Sequence, residues 1–74
     1  MNSPDYWKYI QDSYTYLIVP DLVEIGFYLY VYMDRRVIAD YLQDSFQAAI
    51  EFAAEEFGVH VSSWIRHDGE PPSL

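Results

Sequence analysis

Residues 34–58 read DRRVIADYLQDSFQAAIEFAAEEFG, and the fold turns on how far a helix extends through them. Asp34 has the side chain of a helix N-cap, and Gly58 stands where a glycine would close a helix in the left-handed conformation. At 100° per residue Ile38, Leu42, Phe46, Ala49, Ala53 and Phe57 gather on one face. The stretch therefore predicts one long helix, Arg35 to Phe57, with that face turned to a core.

On its N-terminal side, Leu22 to Met33 alternates. Val23, Ile25, Phe27, Leu29, Val31 and Met33 fall on one side, and Glu24, Gly26, Tyr28, Tyr30 and Tyr32 on the other. Period two is the pattern of a half-buried strand. Tyr14 to Val19 reads as a second strand. Pro20-Asp21 joins the two as an antiparallel hairpin, with a loop of about Val19 to Glu24 because Pro-Asp is not a tight-turn pair of the Asn-Gly type. Gly26 is read as a bulge. Ser3-Pro4-Asp5 has the order of an N-cap, a first-turn proline and a first-turn acid. It predicts a helix from Pro4 to about Ser13, with Trp7, Ile10 and Tyr14 at helical spacing. After Gly58, Val59 to Arg66 predicts a third strand, and residues 67–74, with Gly69 and Pro71-Pro72, a flexible tail. The expected fold is α+β: one small domain, residues 1–74, in a two-layer α-β-β-α-β arrangement with the long helix packed on a three-stranded sheet.

Composition narrows the function. A chain of 74 residues buries a smaller share of its surface than larger domains do, and with no cysteine it has neither disulfides nor thiolate metal sites to help it. Its 51% hydrophobic and 19% aromatic content nonetheless argue for a folded chain. The net charge of -8 disfavours direct binding to nucleic acid or anionic lipid and favours basic protein surfaces. The N-terminus has no signal-peptide pattern. The most apolar stretch, Tyr14 to Met33, contains Pro20, Asp21 and Glu24 and alternates, so no membrane span and a cytoplasmic location are expected.

Two surfaces follow from the expected elements. On the long helix, Asp40, Asp44, Glu51 and Glu55 would form one stripe nearly opposite the core, with no Lys, Arg or His from Val37 to Phe57. Solvated helices usually interleave charges of opposite sign, so a row of like charges suggests complementarity to basic residues of a partner. The plainer reading is a solubilising face on an acidic protein. On the sheet, Tyr14, Tyr16, Tyr28, Tyr30 and Tyr32 would share the non-core face, joined by His60, Ser62, Trp64 and Arg66 from the third strand. Tyrosine offers rigid contact area with a polar tip, which suits a protein interface, a homodimer included. Cross-strand pairing of the rings is the plainer reading here.

Chemistry is sparse. His60, His67 and Asp68 are the candidates for metal or acid–base work, but His60 and His67 would point to opposite faces of a strand. Ser62-Ser63 lacks the surroundings of a catalytic nucleophile. No enzyme activity, cofactor or metal is expected.

Size and charge display, with the stripe Asp40, Asp44, Glu51 and Glu55, resemble small acidic phage-encoded inhibitor proteins of the anti-CRISPR or DNA-mimic type. That resemblance implies a non-enzymatic inhibitor whose acidic surface blocks a basic, nucleic-acid-binding site on a protein partner. The alternative is a self-associating or adaptor domain working through its tyrosine-rich sheet face.

Overall fold

The computed structural model describes residues 5–21 and 26–69. Five strands and one helix follow in the order β1 (Tyr6–Gln11), β2 (Tyr14–Asp21), β3 (Gly26–Met33), β4 (Arg36–Gln43), α1 (Phe46–Phe57) and β5 (Ile65–His67). The strands form a single antiparallel sheet in the order β4-β3-β2-β1-β5. A long helix on a three-stranded sheet is therefore incorrect. The described residues are mostly sheet with one short helix.

The correction begins at Asp34. Asp34 and Arg35 have φ of 51° and 70°, and Met33 pairs directly with Arg36. Two consecutive central residues with positive φ are what a two-residue hairpin turn needs to match the twist of its strands. Asp34 is thus a turn residue, not a helix cap, and residues 36–43 return along β3 as an edge strand. Between Ala39, opposite Val31, and Val37, opposite Tyr32, Ile38 is an extra residue, so β4 carries a bulge. The bulge expected at Gly26 is absent: Gly26 pairs with Asp21. What it supplies is space, because a Cβ there would lie 2.7 Å from the backbone oxygen of Gln43.

The true helix start is Ser45. It has an extended φ of -151°, and its hydroxyl accepts a hydrogen bond from the Ala48 N–H at 3.0 Å. The C-terminal end is where the sequence places it. Gly58 has φ 71°, and its N–H and that of Val59 donate to the carbonyls of Ala54 and Ala53.

The segment expected to be the N-terminal helix is instead β1. Ser3 and Pro4, which suggested a helix start, lie outside the described residues, as do residues 22–25 of the expected second strand and residues 70–74 of the expected tail. Tyr6-Trp-Lys-Tyr-Ile10 is rich in aromatic and β-branched side chains. In a ladder it turns Trp7 and Tyr9 inward with alternate spacing. Asp12, with φ 57°, and Ser13 close the β1–β2 hairpin, and Asp34 N–H donates to Ser13 O, tying the two turns together at one end of the sheet. The expected third strand, Val59 to Arg66, is mostly a connection, and His67, assigned to the tail, belongs to β5.

α1 lies on one face of the sheet, against β2, β3 and β4. Ala49 and Ala53, both fully buried, bring the helix close to Ile18, Leu29 and Val31, and Val59 fills the end of this core. Aromatic side chains ring the contact. Trp7 meets Phe46 at 4.3 Å between ring centroids, Tyr41 meets Phe52 at 4.6 Å, and Tyr16 meets Phe57 at 5.6 Å.

Two substitutions test this arrangement. Arg35→Gly removes a side chain from a left-handed position that costs roughly 1–2 kcal/mol. It should raise the melting temperature by about 4–8 °C per kcal/mol gained. A helix through Arg35 would instead lose stability, by about 1 kcal/mol. Gly26→Ala should destabilise by roughly 1–3 kcal/mol in chemical denaturation, because the Gln43 backbone must move.

Candidate interaction surface

The ladder sorts the side chains onto two faces. Facing α1 are Trp7 and Tyr9 of β1, Tyr16 and Ile18 of β2, Phe27, Leu29 and Val31 of β3, and Ala39 and Tyr41 of β4. No described element packs on the opposite face. There Tyr28, Tyr30 and Tyr32 form a row along β3: the first two rings stack with centroids 5.4 Å apart, and the second pair are tilted at 6.3 Å. Leu17 lies beside Tyr30 and is fully buried although it is not part of the core under the helix. Around this centre stand Ile10, Val37, Leu42 and Ile65, at 57%, 49%, 45% and 63% exposure.

Charge is scarce on that face. Of the described side chains, the register places two charged groups there, Lys8 and Asp40, in a chain whose net charge is -8. They belong to one row across the sheet. Lys8 pairs with Leu17, Leu17 with Tyr30, and Tyr30 with Asp40. Neither takes part in an ion pair among the described residues, where Arg66 bridges Asp5 and Asp68 at 3.5 and 3.6 Å.

The four-acid helix stripe does not form. Asp40 is in β4 on the sheet face opposite α1, and Asp44 is in the connection before α1. Glu51 and Glu55 remain one turn apart on α1, both exposed, and Glu51 accepts a hydrogen bond from Gln47 Nε2 at 2.8 Å.

The tyrosine face is also redrawn. Tyr28, Tyr30 and Tyr32 lie together on the side opposite the helix, but Tyr14 and Tyr16 pair with Met33 and Val31 and so stand on the helix side. Trp64 is not with the tyrosines either: its ring meets Tyr9 edge-on at 6.5 Å, and its Nε1 is buried without a hydrogen-bond partner. Arg66 pairs with Trp7 and likewise follows the helix side. Sequence reasoning missed Lys8, Ile10, Leu42 and Ile65. The signal was available in the alternation of β1, where Lys8 and Ile10 oppose Trp7 and Tyr9.

His60 and Ser62 form a local motif in the α1–β5 connection. Ser62 Oγ lies 2.7 Å from His60 Nδ1, and the Ser62 N–H donates to the same nitrogen. A nitrogen accepting from that N–H is unprotonated, so the hydroxyl donates to it as well. Both residues are exposed, and the arrangement braces the turn closed by Ser63 N–H to His60 O. Among the described residues no three His, Cys, Asp or Glu side chains are placed to hold a metal ion. None of the described helices is long and apolar enough to cross a membrane, and the apolar stretch Tyr14 to Met33 contains strands β2 and β3. No family model, curated protein or solved structure matches the chain.

On the helix side, burial raises the Tyr16 phenol above its ordinary pKa, and the neighbouring Tyr14 and Tyr9 add to the effect. A folded-state pKa above the unfolded one gives stability that is complete below the unfolded value, about 10, and is lost as pH rises through the folded value. Alkaline unfolding followed by far-ultraviolet circular dichroism should therefore begin above about pH 10. It should shift to higher pH in Tyr16→Phe.

Proposed function

We propose that this chain is a non-catalytic protein-binding domain whose contact surface is the sheet face opposite α1. One observation carries the reading. In a strongly acidic protein, Lys8 and Asp40 are the charged groups among the described side chains of this face, which exposes Ile10, Val37, Leu42 and Ile65 around a tyrosine row. Depletion of charge with aromatic enrichment marks the centre of protein interfaces more reliably than hydrophobicity alone. Contiguous exposed apolar area beyond a few hundred Å² is also uncommon on monomers. Ile10, Val37, Leu42 and Ile65, at 57%, 49%, 45% and 63% exposure, contribute such area here.

A second reading keeps the inhibitor with an acidic contact surface. The exposed Glu51, Glu55 and Glu56 favour it, since they occupy the last turns of α1 with no basic residue in the final turn. The helix dipole disfavours negative charge there, so a basic partner would relieve it. The row is shorter than the sequence suggests, because Asp40 and Asp44 are elsewhere.

The two readings separate by mutation. Immobilised protein is used to retain binding proteins, its own free copies included, from lysate of its native host. Leu42→Lys should abolish retention while leaving the circular dichroism spectrum unchanged, and retention by the parent chain should survive high salt. Glu51→Lys with Glu55→Lys should leave retention intact. The opposite pattern, with loss in high salt, would transfer the contact to α1.

A further inference from the structure

We infer that β5, together with Trp64, is a releasable strap over the edge of β1, an autoinhibitory contact that keeps this edge from pairing with another strand. The strap is independent of the contact surface proposed above. Five residues of β1 are paired with β2 and three with β5. β1 is the one described element against which β5 lies. Releasing β5 therefore leaves the ladder from β1 to β4 in place. It also leaves Ala49 and Ala53 of α1 packed on Ile18, Leu29 and Val31.

Little holds the strap down. Ile65 and Arg66 are exposed. Arg66 pairs with Asp5 and Asp68 through side chains open to solvent, and such pairs contribute little. Two ring contacts remain. His67 stacks on Tyr6, with centroids 5.1 Å apart and planes 12° apart, and Trp64 meets Tyr9 edge-on. The second contact carries a cost. Trp64 Nε1 is buried and no described group accepts its hydrogen, so docking takes this N–H out of water without giving it a protein partner. In the released strap the indole is hydrated, which favours opening by roughly five- to hundredfold. Upstream, Val59 is buried and Ser63 N–H donates to His60 O, so the connection stays anchored and release begins at Trp64.

The two edges of the sheet are protected in different ways. β4 has the bulge at Ile38 and the charge of Asp40, both of which discourage a further strand. β1, Tyr-Trp-Lys-Tyr-Ile-Gln, is aromatic and β-branched with one charge, and its register with β2 runs without a bulge. Such an edge is a template for strand addition. While β5 covers Tyr6 to Lys8, the remainder of β1 is three residues, shorter than an ordinary strand. Release joins the two parts into one edge of six residues.

The test is native-state hydrogen exchange of the full chain, followed by nuclear magnetic resonance in increasing sub-denaturing urea. The amides of Ile65 to His67 should be protected roughly tenfold less, or lower still, than those of Leu29 and Val31 in β3. Their exchange should depend little on urea, because the opening exposes little surface. Along β1 the N–H groups point alternately toward β5 and β2. From Tyr6 to Lys8, those directed at β5 should exchange with the strap, and those directed at β2 should stay protected like β3. Exchange of β5 at the β3 level overturns the inference. So does exchange of every β1 amide along with β5, which would make β1 part of the opening unit. A chain made by chemical synthesis, with benzothiophene in place of the Trp64 indole, keeps the ring's shape without its N–H. It should slow β5 exchange by about fivefold or more. β3 should slow by the same factor, because the indole is hydrated in the released and the unfolded chain alike. No slowing overturns the role given to Trp64.

Discussion

Asp34 and Arg35 hold two consecutive left-handed backbone conformations, and the later part of the chain is placed by them. Each non-glycine residue in that conformation costs roughly 1–2 kcal/mol, so the turn persists only because the strands it joins over-determine it. The compensation is the β3–β4 ladder. It gives β3 a partner on its second side, which lets Leu29 and Val31 be fully buried with their backbone groups hydrogen-bonded. Strand β4 then carries the chain to Gln43, at the far end of the sheet. From there Ser45 caps a helix whose Ala49 and Ala53 lie on Ile18, Leu29 and Val31, and Gly58 turns the chain toward β1, where β5 pairs.

Elements with a single strong periodicity are legible in the sequence. β3 is one: Phe27, Leu29 and Val31 face the helix and Tyr28, Tyr30 and Tyr32 face away, as alternation requires. The second half of the expected helix is another, with Phe46, Ala49, Ala53 and Phe57 all against the core. Residues 36–43 satisfy two patterns at once. Ile38 and Leu42 are four apart, as on a helix, while Ala39 and Tyr41 are two apart, as on a strand. Eight residues cannot separate those periods, and the neighbouring turn decides between them. Asp44-Ser45 just before Phe46 is a helix-start signal that outranks Asp34 once the hairpin is recognised.

The surface was less legible than the fold, for a reason of register. Faces in a ladder depend on which residue opposes which, and a shift of one residue exchanges them. On the β3 side Tyr14 and Tyr16 fall opposite Met33 and Val31, not opposite Tyr28, Tyr30 or Tyr32, so an aromatic face assembled without the register mixes the two sides of the sheet. The acidic stripe failed differently. It presumed one continuous helix, and when the first part became strand its four carboxylates were divided among sheet, connection and helix.

Ile38 and Leu42 join these points. Helical spacing assigns both to a core, yet the strand leaves them half exposed, at 50% and 45%. Burying such side chains is worth roughly 1.5–3 kcal/mol each, which is large against the few kcal/mol that hold a small domain folded. β3 must be paired, and among the described residues the one short helix lies on the other side of the sheet. A local rule broken without local compensation points to compensation elsewhere. Leu42 shares its face with Tyr28, Tyr30 and Tyr32 and with Lys8 and Asp40, so a contact on that face would bury it beside the tyrosine row.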